Sequence, residues 1–374
     1  KILLSRSEKI NPKLRKRYNA VLEVKYSFGE CIYQAKVWQN GDFKDHIRWV
    51  DSTSSPLSSL NIRLKEGNLL NAIKFKLLIP ETRNNLNEIL GTIVVRNLGF
   101  IAPETFETQV SINGNKSVMI FQEDSRKELL ERNQRREGPI FEGDESIIWG
   151  NYKNQGDFAF EQLSLARLIN RKWFLKGNSS QIITLNAFKD LQYSYLPEQQ
   201  LIGNVINPNF RKNNYFQDYY FLMAIMNGQH ALRPHNRKFY FNSLKDTFEP
   251  IYYDGNLILE SEVKFNHEFI NFENAFINDY YFPYLILFDN INFKKKLIDQ
   301  FESRVIEFDN DKLSFANNAL SSISTNGKTL NKYLSNKEKN DYKINNLGKS
   351  IAKYKMIMNL KNLDQRIINS YKII

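Results

Sequence analysis

The sequence of this 374-residue chain predicts an α+β fold, with a strand-rich first third that carries one helix and a larger, mainly helical remainder. Two observations predict it. Apolar residues alternate at period two in most segments up to Gln122 and then recur at helical spacing. A short loop and hairpin, between about residues 230 and 254, interrupt the helical part and concentrate its polar residues.

Val21 to Phe28 and Cys31 to Trp38 alternate as strands, and Asn40-Gly41-Asp42 follows as a turn. Leu60 to Lys65 and Ile73 to Ile79 add two more strands, joined through Glu66-Gly67-Asn68, so an antiparallel sheet is expected. Pro80 stops the last of these. Asn84 to Leu98 then places Leu86, Ile89, Leu90, Ile93 and Val94 at helical spacing, closed by Gly99. Thr105 to Ile112 and Ser117 to Gln122 flank Asn113-Gly114-Asn115 as a hairpin. Beyond Glu123 the spacing predicts helices over Ser125 to Gln134, Phe158 to Trp173 and Tyr215 to Met226. Two short strands follow, Lys238 to Asn242 and Phe248 to Tyr253. Helices are expected again over Leu297 to Phe308, Asp311 to Ser322 and Ile351 to Ile368.

At 42% hydrophobic residues the chain can bury a substantial core, and no run approaches eighteen uninterrupted apolar residues, so no membrane span is expected. Numbering from Lys1 rather than Met leaves the compartment open. One cysteine, Cys31, and four scattered histidines exclude a disulfide framework and a Cys/His zinc site, while oxygen-ligated divalent ions remain available. The formal charge of +11 fits an anionic partner, although a Lys- and Asn-rich codon bias gives the same number. No nucleic-acid module accompanies it, so no nucleic-acid partner is expected.

The segment His230-Ala231-Leu232-Arg233-Pro234-His235-Asn236 precedes the hairpin, and Asp254-Gly255 closes it. The protein-kinase signature has a catalytic Asp five positions before a metal-binding Asn, then a metal-binding Asp-Gly pair. Asn236 and Asp254 take the two metal positions here, and Ala231 stands where the catalytic Asp belongs. A carboxylate and an amide oxygen suit Mg2+ or Mn2+ bridging the phosphates of ATP. Ordinary turn chemistry also accounts for each residue alone. Ala231 cannot accept a proton, which leaves three readings: His230 or His235 positions the acceptor, the chain is a binding pseudokinase, or Ala231 replaces an Asp.

A nucleotide site of this kind needs a strand lysine on the phosphates and a helix carboxylate nearby. Period two puts Phe75, Leu77 and Ile79 on one face of their strand and Lys74 and Lys76 on the other, with Arg63 and Lys65 available from the neighbouring strand. Glu88 is the helix carboxylate, though its place opposite the apolar stripe slightly favours a solvent-facing position, and Glu123 is an alternative acidic contact at the hinge. No glycine-rich phosphate loop of either familiar pattern occurs. Glu142, Asp144 and Glu145 form an acidic cluster that is expected in a solvated loop.

Taken together, these stretches resemble the atypical kinases related to the spore-coat protein CotH and, more distantly, the HipA-like kinases. The resemblance covers roughly residues 55 to 260: Leu64-Lys65-Glu66-Gly67 before the lysine strand, the helix ending at Gly99, Val110 to Glu123, Asn236 with Phe239-Tyr240, and Ile251 to Gly255. It implies a protein-kinase-like two-lobed fold, with an N-terminal lobe over 1–123 and a C-terminal lobe with a helical extension over 124–374. It implies ATP with a divalent metal, and transfer to a hydroxyl-bearing protein or glycan acceptor in envelope or secreted settings. The alternative is a pseudokinase that holds nucleotide or an anionic polymer without turnover.

Overall fold

The computed structural model describes residue 2 and residues 8–10, 14–49, 56–143, 166–195, 215–233, 236–263 and 282–336. Strands β1 (Tyr18–Tyr26), β2 (Gly29–Gln39), β3 (Leu60–Leu64) and β4 (Lys74–Leu78) precede helix α1 (Leu86–Asn97), and β5 (Thr105–Ile112) and β6 (Asn115–Glu123) follow it. They form one curled antiparallel sheet of six strands in the order β1-β2-β3-β4-β6-β5. Alternation works as expected in β4. Phe75, Leu77 and Ile79 enter a buried cluster with Ile62, Leu64 and Phe121, which leaves the two lysines on the opposite face.

After α2 (Lys127–Arg132), the strands β7 (Ile140–Gly143), β8 (Ala166–Leu168), β9 (Lys238–Asn242) and β10 (Thr247–Ile251) form a second sheet in the order β8-β7-β9-β10. Helices α3 (Asn178–Tyr195) and α4 (Tyr215–Ile225) lie between β8 and β9 in sequence, and α5 (Ile291–Glu302) and α6 (Asn310–Asn336) follow β10. The largest apolar cluster gathers Ile89, Leu90 and Ile93 of α1 with Leu222 and Met223 of α4, Phe301 of α5 and Leu320 of α6. Ion pairs Arg304–Glu104 (2.8 Å) and Lys312–Glu107 (3.2 Å) fasten the C-terminal helices to the start of β5.

Four expectations need correction. The helix expected over Phe158 to Trp173 is, where described, the strand β8 and a single helical turn, Arg171–Phe174, with 158–165 outside the described residues. Helix α3 was not anticipated, because its buried stripe of Ser180, Thr184, Ala187 and Leu191 is half polar and gives little apolar periodicity. The helix expected from Leu297 begins instead at Ile291, where the Asn290 side chain accepts a hydrogen bond from the Phe293 amide, and it stops at Glu302. Helix α6 runs well past Ser322. The helix expected over Ile351 to Ile368 lies outside the described residues. Among the described residues no helix is long and apolar enough to cross a membrane.

Candidate functional site

Three consecutive residues just past β10 organise the site. The Tyr252 hydroxyl donates to Glu88 Oε2 at 2.6 Å, the Tyr253 ring lies 4.6 Å from Lys76 Nζ, and the Asp254 carboxylate sits 3.2 Å from the Arg83 guanidinium. This three-residue segment therefore touches the first helix, the lysine strand and the turn between them. Further contacts hold it there. Asn84, itself in the left-handed region at φ 51°, donates through Nδ2 to Asn256 Oδ1 and to the Leu257 carbonyl, both at 2.9 Å, and the Leu259 amide donates to Asn87 Oδ1 at 2.8 Å. Gly91 makes the approach possible, since a Cβ there would stand 2.0 Å from Leu257 Cδ1.

The two strand lysines differ in their partners. Lys74 forms a 2.7 Å ion pair with Asp124, which also receives Arg126 at 3.0 Å. Burial works against the charge of Asp124, but Lys74, Lys238 and Lys76 outweigh it and hold the carboxyl far below the usual carboxylate range. Lys76 is buried and forms no ion pair among the described residues; burial first, then the charge of Lys238, pushes its amine down to about 7. Arg63 lies directly across from Lys74 in the β3–β4 register and is exposed, as is Lys65.

Glu88 does not face solvent. It is fully buried, accepting from Gln122 Nε2 and from Tyr252, both at 2.6 Å, and makes no ion pair with either lysine. Burial pushes its carboxyl up, with Arg83 and the two donors pulling the other way. The α1 stripe wraps further round the helix than apolar spacing indicates, because Glu88 is buried by its polar partners. Glu123 is likewise turned inward, with Oε2 accepting from Arg132 at 3.0 Å and from the Glu104 amide at 3.3 Å.

Asn236 is buried beside the 3₁₀ turn Gln229–Leu232 that contains His230 and Ala231. Its Nδ2 donates to the His230 carbonyl at 3.0 Å, which leaves Oδ1 as the side chain's acceptor. Burial tends to raise the Asp254 carboxyl, but Arg83, followed by His230, Lys76 and His46, holds it below its ordinary value. Its backbone is left-handed, at φ 51°. Ala231 is 3% exposed and packs with Leu232 into the main core. His235 lies outside the described residues. Among the described residues no three His, Cys, Asp or Glu side chains gather to hold a metal, so any cation here relies on mixed carboxylate and amide donors.

Three neighbours were not singled out by sequence reasoning. Arg83 ends the turn Pro80–Arg83, where no periodic pattern marks it. Lys238 opens β9, its Nζ 3.5 Å from the centroid of the Tyr253 ring and 3.3 Å from Glu142; alternation in Lys238-Phe239-Tyr240 separates it from Phe239. His46 follows the turn at Gly41, where φ is +90° and a Cβ would stand 1.9 Å from His46 Cδ2. His46 is buried with Nδ1 unpaired, and its electrostatic neighbours include Arg83, Asp254 and Lys76. Glu142 is no solvated loop residue, being tied to Arg167 and Lys238, while Asp144 and Glu145 lie outside the described residues. No protein-family model and no curated protein matches the chain.

Proposed function

We propose that the chain is a two-lobed, CotH-like kinase that binds ATP with Mg2+ or Mn2+ and transfers the γ-phosphate to a hydroxyl of a protein or glycan, with turnover impaired by Ala231. The observation that carries this reading is the convergence of the helix glutamate Glu88, the strand lysine Lys76 and Arg83 on Tyr252-Tyr253-Asp254, the segment that carries the hairpin-end carboxylate and lies more than 150 residues later in the chain. Lysine strand, glutamate helix and Asp-Gly segment are the parts that position a nucleotide in kinases. The lysine strand β4 is also an inner strand of the sheet, with α1 following it in the chain.

The donor set fits a hard divalent cation: an ionised carboxylate at Asp254 and an amide oxygen at Asn236 whose Nδ2 is already engaged. When bound there, the ion neutralises charge on the phosphate oxygens. Lys76 supplies a positive charge to the phosphates without first breaking an ion pair, in contrast to Lys74. Tyr252 and Glu88 hold the backbone that presents Asp254. Arg83 keeps the carboxylate ionised. His230, next to Ala231 and within electrostatic reach of Asp254, is the one imidazole in the described part of the 230–236 loop.

A second reading is a pseudokinase that binds nucleotide or an anionic polymer, favoured by the absence of any proton acceptor at Ala231 and its burial in the core. Calorimetry with ATP tests the shared premise. The parent chain binds in magnesium and loses most of its affinity in EDTA, and Asp254→Ala loses the metal dependence. Equal affinity in all three conditions sinks both readings. Radiolabel transfer to protein or glycan acceptors then separates enzyme from binding protein.

A further inference from the structure

Lys76 and Lys238 come from different sheets, yet both Nζ atoms lie over the ring of Tyr253, at 4.6 and 3.5 Å from its centroid. The two ammonium groups are therefore no more than about 8 Å apart, within the range over which salt leaves like charges repelling each other. Both lysines are buried, at 7% and 6% exposure. One aromatic ring attracts one cation well. A second, buried beside it, is favourable only where negative charge joins them. Among the described residues Lys76 forms no ion pair, Lys238 pairs with Glu142 alone at 3.3 Å, and Glu142 is shared with Arg167 at 2.5 Å. Asp124, whose carboxylate feels the charge of both lysines, is already engaged by Lys74 and Arg126.

We propose that Lys76, Lys238 and Tyr253 form an anion subsite that binds a phosphate chain directly, without a metal, with Lys238 as its second cationic contact. The subsite deepens the nucleotide reading and rests on it for the identity of the ligand. Lysine suits the task, being a compact charge with three donors that adjusts to several phosphate oxygens. The divalent cation is assigned to Asp254 and Asn236, so the two contributions separate chemically: EDTA abolishes one and leaves the other.

The experiment is calorimetry of the full chain with inorganic tripolyphosphate in EDTA, alongside ATP in magnesium. The parent binds tripolyphosphate in EDTA; Lys238→Met and Lys76→Met each lose at least about tenfold, and Asp254→Ala binds it as well as the parent or better, because an acid beside the site is gone. Lys238→Met keeps Glu142 paired with Arg167, so no buried carboxylate is stranded. No binding of tripolyphosphate by the parent overturns the subsite, and so does parent affinity in Lys238→Met. If magnesium-dependent ATP binding persists in either case, the nucleotide reading stands while the subsite falls. If tripolyphosphate binds through both lysines and ATP does not, the subsite stands and the nucleotide reading falls.

Discussion

The hydroxyl of Tyr252 is bonded at 2.6 Å to the carboxylate of Glu88, 164 residues earlier in the chain. Both groups are buried, and the remaining Glu88 oxygen is taken by Gln122. The bond joins the first turn of α1 directly to the backbone that carries Tyr253 and Asp254.

Removing that hydroxyl leaves a buried carboxylate one donor short. Tyr252→Phe is expected to cost about 1–3 kcal/mol in urea unfolding at pH 7, the usual penalty for an unsatisfied buried acceptor, and to weaken magnesium-dependent ATP binding. Unchanged stability and affinity would show that the bond does not position Asp254.

Lys76 is expected to trade stability for binding. Its folded pKa of about 7 lies below the ordinary 10.5, so between those values the unfolded chain holds more protons. The penalty is therefore full below pH 7 and fades as the pH rises toward 10.5. Lys76→Met, which keeps the packing of the stem, should raise unfolding stability at pH 6 by on the order of 2 kcal/mol and by little at pH 10. The same variant should lose ATP affinity. A variant less stable at pH 6 would mean that the ammonium is compensated in the free protein.

Acid stability should carry the mark of His46. Burial lowers its pKa to about 4 from an ordinary 6.5, aided by Arg83 and opposed by Asp45 and Asp254. The unfolded chain thus binds the extra proton between those values, and stability falls as pH drops through that window, by roughly 2 kcal/mol at pH 5. Above pH 6.5 the group costs nothing through this route. His46→Leu should remove that share of the pH dependence in urea titrations at pH 5 and pH 7. An identical slope in parent and variant would assign the effect elsewhere.

Position 231 tests the catalytic reading. Ala231→Asp should raise phosphoryl transfer or ATP hydrolysis by about a hundredfold, the scale of general-base catalysis, with ATP affinity little changed. The site is 3% exposed, so the carboxylate should also lower the unfolding midpoint. A folded Asp variant that binds ATP and shows no gain with protein, glycan or water acceptors would favour the pseudokinase.

Much of this architecture was legible in the sequence because alternation and turn chemistry report one-sided burial. The division of β4 into an apolar face and a lysine face followed from period two, and Lys238–Asn242 was bounded correctly. Partner chemistry was not legible. Nothing local distinguishes Lys74, paired with Asp124, from Lys76, stacked on Tyr253, because both partners come from elsewhere in the chain. Glu88 looked solvent-facing for the same reason: only Gln122 and Tyr252 make its burial tolerable. Helix α3 hid its buried side behind Ser180 and Thr184, whose hydroxyls donate to the Gly177 and Ser180 carbonyls and so need no water.

The stitching of residues 252–259 onto α1 also has a kinetic side. Asn84 to Leu257 and Asn87 to Leu259 span 173 and 172 residues, so these contacts close very large loops and belong to the high contact-order part of the fold. Early sheet hairpins such as β1–β2 can zip locally, whereas these seams must wait until the chain has emerged past Leu259. A growing or truncated chain that stops short of Tyr252 leaves the buried carboxylate of Glu88 without its tyrosine and the glycine face of α1 at Gly91 without Leu257. Such an intermediate leaves the Glu88 and Gly91 side of α1 uncovered, and open to capture by a chaperone or a protease, until residues 252–259 arrive.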